Sequence, residues 1–183
     1  MTRDAVTRAV PVFLTGFMAT GKSKIGRLLA SRMRRIFSDT DDMIEARAGK
    51  AIAAIFADEG EERFRALERE CVVEAASQAA VIALGGGAIA QEENWKAIGD
   101  TDGILICLEA DVDTILERVS RRDTRPLLAG LSHEEKREKI TAMLAERAPY
   151  YRRAHITVRS SEDRRPVDTV TELLDLLQRR AKC

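Results

Sequence analysis

The 183-residue chain predicts an α/β fold in which a parallel sheet is wrapped by helices, and two observations carry that prediction. Five short apolar runs, Val10–Leu14, Ile36–Ser38, Val81–Leu84, Ile104–Leu108 and Ile156–Val158, are separated by stretches of helical periodicity. Strands that alternate with helices in this way build parallel sheets. The octet Gly16-Phe17-Met18-Ala19-Thr20-Gly21-Lys22-Ser23 then fits the phosphate-binding pattern G-x-x-x-x-G-K-[ST], between a strand-like and a helix-like run.

The first element is the continuous apolar stretch of Val10, Val12, Phe13 and Leu14, suited to a strand buried on both faces. After Lys22, the residues Ile25, Leu28, Leu29 and Met33 recur at helical spacing. The loop therefore delivers backbone N–H groups to a helix N-terminus, where the helix dipole also favours negative charge. Glycine serves where the chain bends tightly against a phosphate, Lys22 reaches the terminal phosphates, and the Ser23 hydroxyl is placed to ligand magnesium. Nucleotide binding is the starting expectation.

Further on, Gly60 to Ala79 carries Phe64, Leu67, Cys71, Val72, Ala75 and Ala79 along one face, with Glu61, Arg69 and Glu70 among the polar positions, and reads as a long amphipathic helix. Pro166 suits the first turn of a closing helix with Val167, Val170, Leu173, Leu174 and Leu177 as its buried stripe. Two stretches break the pattern. Gly85-Gly86-Gly87 follows the third strand at its carboxyl end, the side on which open α/β sheets bind ligands. Ser120 to Ser132 contains Arg121, Arg122 and Arg125, then Pro126 and Gly130, and reads as a mobile lid.

Composition narrows the classes. The chain is expected to form one domain over 1–183, with 1–9 a flexible polar leader. Thirty Lys and Arg balance thirty Asp and Glu, so no overall field favours nucleic acid or an acidic membrane. The basic clusters at Arg34-Arg35 and Arg152-Arg153 lack interleaved aromatics, which also speaks against nucleic acid. Three cysteines, Cys71, Cys107 and Cys183, are widely separated and without C-x-x-C spacing, which fits a reducing compartment. With no run of about 18 apolar residues and a charged N-terminus, a cytoplasmic protein is expected.

The residues that can carry chemistry follow the strand ends. Asp39-Thr40-Asp41-Asp42 lies after the second strand, where carboxylates can hold magnesium and orient a substrate hydroxyl. Helix capping is the plainer role for Asp39 or Thr40. Phosphoryl transfer requires positive charge and exclusion of water, and Arg125 beside the stiff Pro126-Leu127-Leu128 answers both needs. Arg65 and Arg147 stand at helix positions compatible with either a cleft or the surface. His133 and His155 have no partner at triad or metal spacing and read as structural, and Trp95 reads as a packing residue.

The ordered set Phe13 to Met18, Ser38-Asp39-Thr40-Asp41, Gly60-Glu61-Glu62-Arg63-Phe64-Arg65, Gly85-Gly86-Gly87, Arg125-Pro126-Leu127-Leu128 and Arg147-Ala148-Pro149-Tyr150-Tyr151 resembles the shikimate kinase family across nearly the whole chain. The resemblance implies a three-layer α/β/α fold with a five-stranded parallel sheet in the order 2-3-1-4-5, like the nucleoside monophosphate kinases. It implies transfer of the γ-phosphoryl group of ATP to the 3-hydroxyl of shikimate, with magnesium. Asp41, Arg65 and Arg147 match the shikimate-binding positions: two arginines clamp the carboxylate, and the aspartate engages ring hydroxyls, as base or only as orienting group. Gly85, Gly86 and Gly87 match a run that contacts substrate through backbone. Gly16, Ala19, Thr20, Gly21, Lys22, Ser23 and Lys24 match the ATP loop, Arg125 the lid arginine, and Asp39 with Ser23 the magnesium-associated positions. Arg164 or Arg165 falls near the adenine-contacting loop, Arg164 being the position taken for ATP binding.

Three positions depart from the family pattern. Ala19 replaces a frequent glycine and is tolerable if φ there is negative. Lys24 replaces a small hydroxyl residue and is expected in solvent, and Tyr150 replaces an aliphatic residue. A kinase for another small polar metabolite such as gluconate, and a catalytically silent nucleotide-binding module, are the rival readings, and a monomer is the expected state.

Overall fold

The computed structural model describes residues 10–121, 128 and 130–181. The expected leader 1–9, Arg122, Arg125, Pro126 and Leu127 of the expected lid, and Cys183 lie outside the described residues. Five parallel strands, β1 (Val12–Thr15), β2 (Phe37–Asp39), β3 (Val81–Ala83), β4 (Ile104–Glu109) and β5 (Ile156–Arg159), pair in the order β2-β3-β1-β4-β5. Each predicted apolar run supplies one strand. The first begins at Val12 because Pro11 has no N–H to give to the ladder; its carbonyl still accepts from Ile104 N at 2.9 Å.

Seven α-helices connect the strands among the described residues: α1 (Lys22–Met33), α2 (Thr40–Ala48), α3 (Ile52–Ala76), α4 (Glu92–Gly99), α5 (Val112–Ser120), α6 (His133–Tyr151) and α7 (Pro166–Arg180). Side chains alternate across a strand, so a sheet buried on both faces reads as a continuous apolar run. Phe13, Ile82, Leu105 and Cys107 pack on one face against Val72, Ala75, Ile115, Leu116 and Ile140 from α3, α5 and α6. Val12, Leu14, Ile106, Leu108 and Val158 pack on the other against Ile25 and Leu29 of α1 and Val170, Leu173 and Leu177 of α7. The result is the three-layer arrangement that the resemblance implied.

Two helices differ from expectation in detail. The helix expected from Gly60 begins at Ile52 and is broken at Gly60 (φ 82°, ψ 177°), a conformation open essentially only to glycine. Its last predicted core residue, Ala79, lies beyond the helix end and is exposed. In α7 the proline does occupy the first turn, but Val167 is 37% exposed and the buried stripe runs through Thr169, Val170, Leu173 and Leu177. One turn from the helix start, the inward face begins at 169, two residues past Val167. At the end of the expected lid, Leu128 is buried in the core and Ser132 forms a capping box with Glu135 at the start of α6.

No helix among the described residues is long and apolar enough to cross a membrane. The contact of α1 with the sheet is close: a Cβ built on Gly26 would overlap the Phe37 ring and lie 3.0 Å from Leu14 Cδ1. Alanine gains about 1 kcal/mol over glycine in helix propensity, but overpacking costs about 1–3 kcal/mol. Gly26→Ala is therefore expected to lower unfolding free energy by about 1 kcal/mol in urea titration, despite its better helix propensity.

Candidate active site

Both the loop after β1 and the turn after β3 lie at the carboxyl ends of central strands, where the chain order reverses and open sheets form a crevice. Gly16 takes φ +135°, and a side chain there would run into the Leu108 carbonyl. Thr20 is buried and donates through Oγ1 to Phe17 O (2.9 Å). Lys22 Nζ donates to the carbonyls of Gly16 (2.8 Å) and Phe17 (2.9 Å), so its ammonium lies over the loop. Helix α1 starts from Gly21 (φ 92°) without a side-chain cap bond and without an acid in its first turn. Its leading N–H groups thus face the loop as an anion site.

Ala19 adopts φ +60°, so the condition of negative φ under which alanine would be tolerable there is not met. The left-handed conformation costs an L-residue about 1–2 kcal/mol and persists only where its surroundings hold it. Arg118 does so: its Nη1 donates to Ala19 O (3.0 Å) and to Ser160 Oγ (3.0 Å), while its Nε pairs with Glu162 at 2.6 Å. Lys24 is exposed, as expected.

Asp39 takes the capping role considered for it and also meets the Ser23 hydroxyl. Its carboxylate caps α2 by accepting from Asp41 N (3.2 Å), and it accepts from Ser23 Oγ at 2.6 Å. Thr40 does not cap; its hydroxyl accepts from Gly85 N (3.0 Å), tying the start of α2 to the glycine run. Asp41 is thereby set against that run, its Oδ1 2.7 Å from where a Gly85 Cβ would stand.

The two arginines meet at the same run. Arg147 Nη1 and Tyr151 Oη both donate to Gly86 O, at 3.2 and 2.9 Å. A Cβ built on Gly87 would lie 3.5 Å from Arg65 Nη1 and 3.7 Å from Arg147 Nη2, so the two guanidiniums converge over one bare backbone position. Arg65 donates to Glu68 Oε2 (2.9 Å) and stacks on Phe64, whose ring lies 4.6 Å from that of Phe56. Glu68 is 1% exposed. Burial pushes its carboxyl above the usual glutamate range, partly offset by Arg65, by the Asn94 amide (3.4 Å) and by Arg147. Burial likewise pushes the Tyr151 phenol up to about 12, so it remains a hydrogen-bond donor to Gly86.

A cleft of about 480 Å³ is lined by Lys22, Ser23, Asp39, Asp41 and Gly86 together with Arg118, Ser160, Arg164 and Pro166. Arg164 lines it and pairs with Glu172 (2.6 Å); Arg165 instead forks onto Asp168 and is 77% exposed. The remaining sequence candidates lie elsewhere. His155 Nδ1 accepts from Leu105 N (2.9 Å), His133 opens α6, and Trp95 packs at the core edge beneath the Arg153 guanidinium, 3.5 Å from its ring centre. Cys71 and Cys107 are buried and unpaired.

Sequence reading passed over Glu68, Asn94, Tyr151, Arg118 and Phe56. Spacing held a usable signal for two of them, because Glu68 is three residues after Arg65 and Tyr151 four after Arg147, both one helical turn away. Arg118 and Asn94 reach the site only through tertiary contacts.

A parallel sheet in this order, with a phosphate loop running from its central strand into a helix, is the P-loop kinase fold. The gluconokinase of Sinorhizobium meliloti 1021 shares it at a TM-score of 0.60 and 15% identity, which speaks to the fold alone. The family model for shikimate kinase matches residues 18–178. A shikimate kinase of Salinibacter ruber is 46% identical over 87% of this chain and 79% of its own length, and one of Symbiobacterium thermophilum 42% identical over 93% and 98%. The solved shikimate kinase of Acinetobacter baumannii in complex with shikimate superposes at a TM-score of 0.88, with 34% identity and 98% of each chain covered. The chain belongs to the shikimate kinase family.

The left-handed Ala19 generates one expectation. Ala19→Gly removes the steric cost at the price of unfolded-state entropy, and is expected to raise unfolding free energy by up to about 1 kcal/mol. Chemical denaturation of the two proteins checks this.

Proposed function

We propose that this chain transfers the γ-phosphoryl group of ATP to the 3-hydroxyl of shikimate, giving ADP and shikimate 3-phosphate. The observation that carries this reading is the meeting of Arg65 and Arg147 over Gly87, with Asp41 on the same glycine run and Lys22 lining the same cleft as Asp41. A small hydroxy acid needs that pattern: cations for its carboxylate and an acid for its hydroxyl.

In this reading the substrate carboxylate lies between the two guanidiniums, and its ring rests on the bare Gly85–Gly87 backbone. Asp41 accepts a hydrogen bond from the 3-hydroxyl and orients its oxygen toward the γ-phosphorus. As the new O–P bond forms, the bond to the β–γ bridging oxygen breaks and the hydroxyl proton passes toward Asp41. The triphosphate lies on the loop amides from Gly16 through Lys24, with Lys22 leaving its loop carbonyls to neutralise the terminal phosphates. Ser23 and Asp39, hard oxygen donors already 2.6 Å apart, suit magnesium, which when bound supplies charge neutralisation of the phosphate oxygens. Arg118 and Arg164 line the same cleft and supply further positive charge to the nucleotide, and the family pattern gives Arg125, outside the described residues, the role of covering the phosphates.

ADP release with ATP and magnesium is expected to depend on shikimate and not on gluconate. Arg65→Ala and Arg147→Ala are each expected to raise the KM for shikimate about 10- to 100-fold, the loss of charge-assisted bonds worth about 1.5–3 kcal/mol, with the KM for ATP little changed. Steady-state kinetics check this, and an unchanged shikimate KM in both variants would refute the clamp.

The acid side of the pH profile should report Glu68. Because its folded carboxyl protonates more readily than an ordinary glutamate, lowering pH discharges it before exposed carboxylates and frees Arg65 from its anchor. The KM for shikimate is expected to begin rising above the usual glutamate range, and Glu68→Gln to remove that limb. Stability runs the other way: the native state binds this proton more tightly, so the contribution from Glu68 is full below the ordinary glutamate value and lost as pH rises through the raised one.

A further inference from the structure

Arg65 is held by two carboxylates of opposite character. Glu68, 1% exposed, accepts from Nη1 at 2.9 Å. Glu61, 66% exposed, presents a single oxygen, Oε1, to both Nε (3.2 Å) and Nη2 (3.0 Å). That Nε/Nη2 edge is the pair of parallel donors a guanidinium offers to an incoming planar carboxylate. We propose that Glu61 is a specificity-determining residue: its own carboxylate covers the Nε/Nη2 edge of Arg65 and yields that edge to the carboxylate of the substrate. The inference rests on the reading of Arg65 as a substrate clamp.

Exposure decides which of the two acids gives way. A solvent-exposed pair four residues apart on a helix is worth only a few tenths of a kcal/mol, because water takes over both partners when it opens. Releasing Glu68 would instead leave a charge buried without its cation, a far larger cost. Glu68 is therefore the fixed anchor and Glu61 the exchangeable one. Glu61 stands directly after the break at Gly60, in the first turn of the second helical segment of α3 and one turn ahead of Arg65.

The arrangement bears on selectivity. A carboxylate that displaces Glu61 restores every bond that Arg65 loses. A neutral polyol does not, and leaves the guanidinium edge less well answered than before it bound. The substrate preferred is a small carboxylic acid, and the cost of preferring it is a slightly weakened affinity for that acid.

The test measures shikimate Kd by calorimetry, and the KM values for shikimate and ATP, on the full-length chain and three variants. Glu61→Gln keeps the side-chain shape and removes the competing charge. Glu62→Gln makes the same charge change at the next exposed position, which pairs with no cation among the described residues. Arg65→Ala reports on the clamp itself. Glu61→Gln is expected to tighten shikimate about two- to threefold in both Kd and KM, with the KM for ATP unmoved and Glu62→Gln at the wild-type value. Unchanged or weaker shikimate binding in Glu61→Gln overturns the inference, as does an equal gain in Glu62→Gln, which would mark a general field effect. If Arg65→Ala weakens shikimate while Glu61→Gln is neutral, only the role of Glu61 fails. If Arg65→Ala leaves shikimate binding intact, the clamp fails and the inference with it.

Discussion

A carboxylate at 1% exposure has to be answered by positive charge and hydrogen bonds, and the proposed substrate clamp is organised around Glu68 meeting that requirement. Arg65 answers it directly, Asn94 adds an amide, and Arg147 adds charge from across the glycine run. A flexible arginine is expensive to hold in one rotamer, and the buried acid performs that task before any ligand arrives. Tyr151 completes the frame from the same helical turn as Arg147 by sharing Gly86 O with it. The guanidiniums thus converge because each is tied from behind.

The loop after β1 obeys a different constraint, close backbone approach. Gly16 passes so near the Leu108 carbonyl that a Cβ is excluded, and Ala19 is held in a left-handed conformation by the bond from Arg118. Arg118 itself is fixed by Ser160 and Glu162, in the segment that follows β5. The loop geometry is therefore connected through one side chain to the segment after β5 that lines the same cleft. Ser23 and Asp39 join the loop to α2, and Thr40 joins α2 to the glycine run, so the loop after β1 and the glycine run are linked by two short hydrogen bonds.

Much of this was legible in the sequence because the underlying patterns are local. A strand buried on both faces has to be apolar throughout, which is why five short runs located five strands within two residues of their ends. The phosphate loop is a contiguous motif with a mechanism attached to each position, and Asp41, Arg65, Gly85–Gly87 and Arg147 stood out once the family pattern was laid over them. What was illegible depends on distance in space. Nothing near Arg118 in sequence says that it braces Ala19, 99 residues away, and Glu68 looks like any polar position on an amphipathic helix until its burial is known. The helical turns from Ile52 up to Gly60 were equally hidden, since the helix was expected to begin at Gly60. Arg125 lies outside the described residues, so its expected place over the phosphates rests on the family pattern.

The claim at the centre is that Arg65 and Arg147 grip one and the same carboxylate. Its most direct test compares the binding of shikimate and its methyl ester, by calorimetry, to the wild-type chain and to the Arg65→Ala/Arg147→Ala double variant. The account predicts that esterification weakens binding to the wild type at least tenfold and makes almost no difference to the double variant, where the group that reads the charge is gone. A double variant that still prefers the free acid as strongly as the wild type does would place the carboxylate elsewhere and contradict the account.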